Sequence, residues 1–243
     1  QFLFEKIHTD PIVSKKLEVG FVWNRTLDKI TSYTGPTRVP ASLILEDLEN
    51  MSSFNVDLIT EVSHPEIAKN YGTKMLQQAN IFMGSPTALA DISFETALRE
   101  AASAQHGVYI PSGALWGADD IQKMADLGTL TELTVTMKKH PSSLKVLSPL
   151  DTLVANHVSG QENIIYKGPV RDLCPLAPNN VNTMACAALA GHTLGFDKTT
   201  AILVADDRLN AHVIVVEAKG PETPGHGSFV VKSERVNPAP PGA

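Results

Sequence analysis

Between residues 56 and 110 the chain alternates short apolar runs with longer amphipathic ones, and this alternation limits the folds open to it. Val56 to Val62 reads as a strand, Pro65 to about Ala79 as a helix, and Asn80 to Gly84 as a strand. A helix over residues 92–105 then leads to a strand from Gly107 to Ile110. Strands separated by helix-length connections run parallel, in a sheet covered on both faces. Pro65 suits the first turn of its helix, where a missing N–H costs nothing. Upstream, residues 17–23 read as a further strand, residues 41–50 as a short helix, and Gln1 to His8 as a helix.

The pattern changes after about residue 130. Leu133-Thr-Val-Thr-Met137 alternates apolar and polar, as a strand with one buried face does. Ile164 to Tyr166, Ala201 to Ala205, His212 to Ala218 and Ser228 to Val231 are further strands, and one Ala-rich helix over 182–191 interrupts them. The expected fold is therefore α/β. A Rossmann-type parallel sheet fills residues 1–115, and an α+β substrate and dimerisation domain with a mostly open sheet fills 116–243.

Ligand crevices in parallel sheets lie at the carboxyl ends of the strands. Asn24-Arg25, Ser63-His64, Ser85 and Ser112-Gly-Ala114 should gather there. The glycine-rich G-x-G-x-x-G loop of dinucleotide-binding units does not occur in the sequence. Counting back from the strand that ends at Asn24 places that loop, and the first strand, before Gln1. Asn24 then occupies the ribose-reading position and Arg25 a position suited to a 2′-phosphate, so NAD or NADP is the expected cofactor.

Composition excludes several classes. The 243 residues carry a net charge of -6 with no basic run longer than two, which argues against nucleic acid as a partner. No stretch approaches the roughly 20 apolar residues of a transmembrane helix. The two cysteines, Cys174 and Cys186, lack C-x-x-C spacing, so no zinc site is expected, and a reducing, cytoplasmic setting fits.

Asn180 and Asn182 flank the start of the Ala-rich helix, whose N-terminus offers free N–H groups and a partial positive charge. Either amide can cap that helix or meet a ligand. His212 heads a strand further on. Its imidazole titrates near neutrality and so can exchange protons at working pH. Arg171 and Lys167 are carboxylate partners by charge alone.

An ordered series of segments resembles the L-aspartate dehydrogenases, and animal aspartate dehydrogenase domain-containing proteins in particular. It comprises Phe21-Val-Trp-Asn-Arg25, Gly84-Ser-Pro-Thr-Ala-Leu89, Gly113-Ala-Leu-Trp-Gly-Ala118, Tyr166-Lys-Gly-Pro-Val-Arg171, Leu173-Cys-Pro-Leu-Ala-Pro178, Asn182-Thr-Met184, Leu194-Gly-Phe-Asp197, Leu203-Val-Ala-Asp206 and Glu234-Arg-Val-Asn-Pro238. The resemblance implies a dehydrogenase, usually a homodimer, that oxidises L-aspartate with NAD(P) to iminoaspartate, which water converts to oxaloacetate and ammonia; in some organisms the iminoaspartate feeds NAD biosynthesis. It implies His212 as general acid/base, with Ala114 and Asn180 contacting the cofactor and Asn182 left as helix cap. The glycine loop and the family's final helix have no counterpart in the sequence. Lys138-Lys-His-Pro141 replaces the Arg-Lys-Pro-Pro common in microbial members, so no role carries over to those residues. Two other readings stand beside it: an inactive dinucleotide-binding relative, and a dehydrogenase of another small amino acid.

Overall fold

The structure is a computed structural model and describes residues 1–35, 37–102 and 105–243. Helices α1 (Phe2–Thr9) and α2 (Asp28–Thr31) precede strand β1 (Leu58–Glu61), helix α3 (Pro65–Gln78), strand β2 (Asn80–Met83), helix α4 (Ile92–Ala101) and strand β3 (Val108–Tyr109). The three strands form a parallel sheet in the order β1-β2-β3, with Ile59 opposite Ile81 and Ile81 opposite Val108. Local chemistry sets the helix starts. The His64 ring nitrogen accepts from the Glu66 N–H ahead of Pro65, and the Asp91 carboxylate accepts from the Phe94 N–H at 3.1 Å.

Two upstream expectations need correction. Residues 17–23 do not form a full strand, because pairing is confined to one bridge between Val22 and Ile44. Residues 41–50 are not one helix either. Short 3-10 turns at Ala41–Leu43 and Leu48–Ser53 flank Ile44 and Leu45. The Leu43 carbonyl and the Leu45 N–H are spent on Val22, so a continuous helix cannot form through them.

Helix α5 (Ala118–Asp126) opens the second half. It is followed by β4 (Glu132–Lys139), α6 (Leu150–Ala155), β5 (Asn163–Pro169), α7 (Val170–Leu173), α8 (Asn182–Ala190), α9 (Gly195–Lys198), β6 (Thr200–Ala205), β7 (Ala211–Thr223) and β8 (Gly227–Pro238). The five strands lie in the order β5-β6-β4-β7-β8. Only the β4–β6 pair is parallel, so the sheet is mixed and open, with β5 and β8 at its edges. Strands β7 and β8 run well past the apolar stretches that mark them in the sequence, because hairpin pairing continues from Ala211–Pro238 out to Thr223–Gly227.

One hydrophobic core extends through both sheets, from Leu45 to Ala218. Helix α8 is its centre: every residue from Thr183 to Ala188 is buried, as expected of a helix with no polar stripe. Polar ties also join the halves. Thr87 Oγ1 donates to the Pro178 carbonyl at 3.0 Å, and Arg235 Nη1 donates to the Ala114 carbonyl at 2.9 Å. The carboxyl ends of β1 and β2 are thereby held against the start of α8.

Candidate active site

At the ends of β1 and β2 the backbone approaches closely. The Gly84 N–H donates to the Glu61 carbonyl at 2.6 Å, and a Cβ on Gly84 would lie 2.9 Å from that oxygen. No larger residue fits there without moving backbone. The Glu61 side chain is buried, and its Oε1 accepts from Ser63 N–H (2.7 Å), Ser63 Oγ (3.0 Å), His64 N–H (3.1 Å) and Ser85 Oγ (3.2 Å). Ser63, His64 and Ser85 therefore do gather at the sheet edge, with Glu61 as the hub. Asn24 and Arg25 are exposed, and the Asn24 side chain accepts from the Thr26 N–H at 2.9 Å, closing a turn.

A cavity of about 270 Å³ opens beside this edge, lined by Gly84, Pro111, Gly113, Ala114, Asn182 and Cys186 among others. Gly113 takes a positive φ of 57°, which turns the chain into Ala114. Cys186 donates to the Pro111 carbonyl at 3.3 Å, and burial pushes its thiol up to about 11, so it is a packing residue rather than a nucleophile. Asn182 is not the cap expected from sequence. The N-cap position falls on Val181 and no side chain closes the helix start. The Asn182 Oδ1 is instead buried without a partner in a residue lining this cavity. Such an acceptor is costly unless a ligand supplies the donor. A nicotinamide carboxamide supplies one, and the Pro111, Ala114 and Cys186 surfaces suit the flat ring attached to it. The residues present thus fit the nicotinamide end of NAD(P).

A second polar group lies at the end of β4. Leu133, Val135, Met137 and Lys139 share the buried face of that strand, while Lys138 points outward to Glu162 at 2.5 Å. Lys139 is only 8% exposed. Its Nζ donates to Asn180 Oδ1 at 3.2 Å, and Asn180 Nδ2 donates to the Lys145 carbonyl at 2.8 Å. Strand β7 pairs antiparallel with β4 up to Lys138–Val213, so His212 and Lys139 are neighbours one step further on. The His212 pKa is held below its usual value near 6.5 by burial first and by the Lys139 charge second, against a smaller opposing hydrogen bond with the Ala243 backbone. The ring is consequently neutral at physiological pH, and its Nε2 is buried with no partner. Burial likewise pushes the Lys139 ammonium below its ordinary value.

The sequence assigns Lys139 no role, because Lys138-Lys-His-Pro141 departs from Arg-Lys-Pro-Pro, although the alternation of Leu133, Val135 and Met137 runs through it when extended two residues. Asn180 lies beside Lys139 and does not line the Ala114 cavity. Arg171, suggested by charge, is committed elsewhere: it pairs with Asp197 at 2.5 and 2.8 Å, donates to the Ala90 carbonyl and lies over the Phe196 ring. Lys167 is exposed. No group of three or more potential metal ligands occurs among the described residues.

Known proteins place this arrangement. Residues 120–242 match the family model described as aspartate dehydrogenase, C-terminal, and residues 1–111 that of the homoserine dehydrogenase NAD-binding domain. An aspartate dehydrogenase domain-containing protein of Xenopus tropicalis is 44% identical over 244 residues, covering 99% of this chain and 84% of that protein. An L-aspartate dehydrogenase of Nitrosopumilus maritimus is 29% identical over 73% of this chain and 65% of its own length. The crystal structure of aspartate dehydrogenase from Thermotoga maritima superposes with a TM-score of 0.65, at 21% identity, over 92% of this chain and 85% of that one, which shows the shared fold. The chain belongs to the aspartate dehydrogenase family, with an NAD-binding Rossmann-type half and an α+β half.

Proposed function

We propose that this protein is an NAD(P)-dependent L-aspartate dehydrogenase with His212 as its general acid/base. The observation that carries the reading is the His212 ring: neutral at working pH, with a buried and unpartnered Nε2, beside the buried cation Lys139. Such a nitrogen is poised to take a proton.

The bound cofactor supplies the acceptor for the hydride that leaves Cα of aspartate. Ala114 and Asn182 form the wall and the polar contact of the nicotinamide pocket, while Asn180, the cofactor contact that the resemblance implies, is held on Lys139 and the Lys145 carbonyl. Asn24 and Arg25 meet the adenosine end. His212 removes a proton from the substrate nitrogen, leaving iminoaspartate. After that proton has passed to solvent, the neutral ring takes a proton from water as that water adds to the imine carbon, and returns it to the nitrogen as ammonia departs, which gives oxaloacetate. Residues 1–115 act as the nucleotide-binding domain and 116–243 as the catalytic domain of a cytoplasmic homodimer, a state that sedimentation of the purified protein measures.

The test is reduced-nicotinamide formation from L-aspartate with NAD and NADP separately. His212→Ala should lower kcat by about 10²- to 10⁴-fold with an unchanged Tm. In the wild type, kcat/KM should rise with pH along an acid limb centred below 6.5, because the base works only when neutral. Absence of aspartate-dependent turnover with either cofactor rejects the reading.

A further inference from the structure

Lys139 poses a physical problem that the protein alone does not solve. An ammonium buried to this degree is normally paired with a carboxylate, because desolvation of an unpaired charge is expensive. Lys139 has an amide oxygen at 3.2 Å instead, and burial is the single cause that displaces its pKa, so no acidic side chain among the described residues offsets the charge. The acid that comes near in sequence and space is otherwise occupied. Asp206 donates its backbone N–H to the Lys139 carbonyl at 3.0 Å, yet its own carboxylate takes Arg208 at 2.8 and 2.7 Å. Adjacent Lys138 shows the ordinary solution, an ion pair with Glu162 at the surface. Asn180 holds the Lys139 ammonium in place without neutralising it, since Asn180 is itself anchored on the Lys145 carbonyl. Beside this cation stands the unpartnered Nε2 of His212.

We propose that Lys139, oriented by Asn180, is the receptor for a carboxylate of the substrate and sets it against the His212 ring. This rests on the dehydrogenase reading for the identity of the substrate, but the chemistry recognised is that of a small dicarboxylate. One donor of the ammonium is used by Asn180 and two remain for the ligand. Binding completes an ion pair that the fold leaves open, so the buried charge becomes a source of affinity rather than a cost to folding. A neutral side chain at 139 would lack the attraction, and an internal carboxylate would compete for it.

The test uses succinate, which carries two carboxylates and no transferable amino group. Its affinity for the intact protein is measured by calorimetry in the wild type, Lys139→Met and Asn180→Asp. The expected result is a loss of affinity of tenfold or more in both variants, with the Tm of Lys139→Met unchanged or raised. In that variant the acid limb of kcat/KM for L-aspartate also moves to higher pH, because His212 loses a like charge, and KM for L-aspartate rises tenfold or more with the fold intact, which a purely structural lysine would not produce. L-Alanine and β-alanine, each retaining one of the aspartate carboxylates, show which of the two Lys139 takes. Equal succinate binding by wild type and Lys139→Met overturns the proposal, and so does failure of the wild type to bind succinate at all. Lys139-dependent succinate binding without aspartate turnover would keep the carboxylate site and reject the dehydrogenase.

Discussion

Each half of the molecule buries a side chain of ionisable type at a strand end, and the two are treated in opposite ways. Glu61 closes β1 at 3% exposure, and one of its oxygens accepts four hydrogen bonds, all from residues 63–85 of the same half. Lys139 closes β4 at 8% exposure with one amide partner, drawn from across the sheet at the start of α8. A buried polar group tied several times over to its own neighbours fixes backbone, whereas a buried charge with a single neutral partner holds interaction energy for something that arrives later. Glu61 is therefore read as scaffold for the nucleotide edge, and Lys139 as binding equipment.

Glu61→Ala should break the first half of that comparison with the largest effect on stability. It strips acceptors from the Ser63 and His64 N–H groups at the entry to α3, and the unfolding free energy should fall by about 3 kcal/mol. Denaturant titration measures this. Retention of wild-type stability would show that Glu61 does not organise the edge, and its free Oε2, buried without a partner, would then become a candidate ligand contact.

The same contrast explains what could be read in the sequence. Elements set by local chemistry were legible: Pro65 marks the start of α3, and the alternation through Met137 marks β4. Val22 was not, because the residues around it look like a strand but find a partner only at Ile44. The site was half legible. His212 stood out through resemblance and lies where a proton acceptor is useful. Lys139 received no role because its segment departs from Arg-Lys-Pro-Pro, and its contact with Asn180, some forty residues away, exists only in the folded chain. The Asn180 and Asn182 pair shows the same limit. Both suit a helix start, and only tertiary packing assigns one to Lys139 and the other to the cavity.

Asn182 sharpens the comparison from the cofactor side. Its Oδ1 has no donor among the described residues, so Asn182→Ala removes an unsatisfied buried atom and should leave stability within about 1 kcal/mol of wild type. The dissociation constant for NAD(P)H, followed by fluorescence of the reduced ring, should rise about tenfold through loss of the carboxamide contact. A destabilised variant with unchanged cofactor affinity would move Asn182 to the scaffold class beside Glu61.

The smallest effect should come from Arg171, which is a cation of the second half like Lys139 but is fully committed. Its guanidinium makes a two-pronged pair with Asp197, a bond to the Ala90 carbonyl and a contact at 5.5 Å with the Phe196 ring centroid. Asp197 is largely exposed, so the pair is screened and contributes modestly. Arg171→Leu should cost about 1 kcal/mol of stability, measured as a small drop in denaturation midpoint, with kcat/KM for L-aspartate within twofold of wild type. A large rise in KM would mean that Arg171 leaves Asp197 to meet the substrate. Carboxylate recognition would then be shared by two cations, and partner count would no longer separate binding residues from scaffold ones.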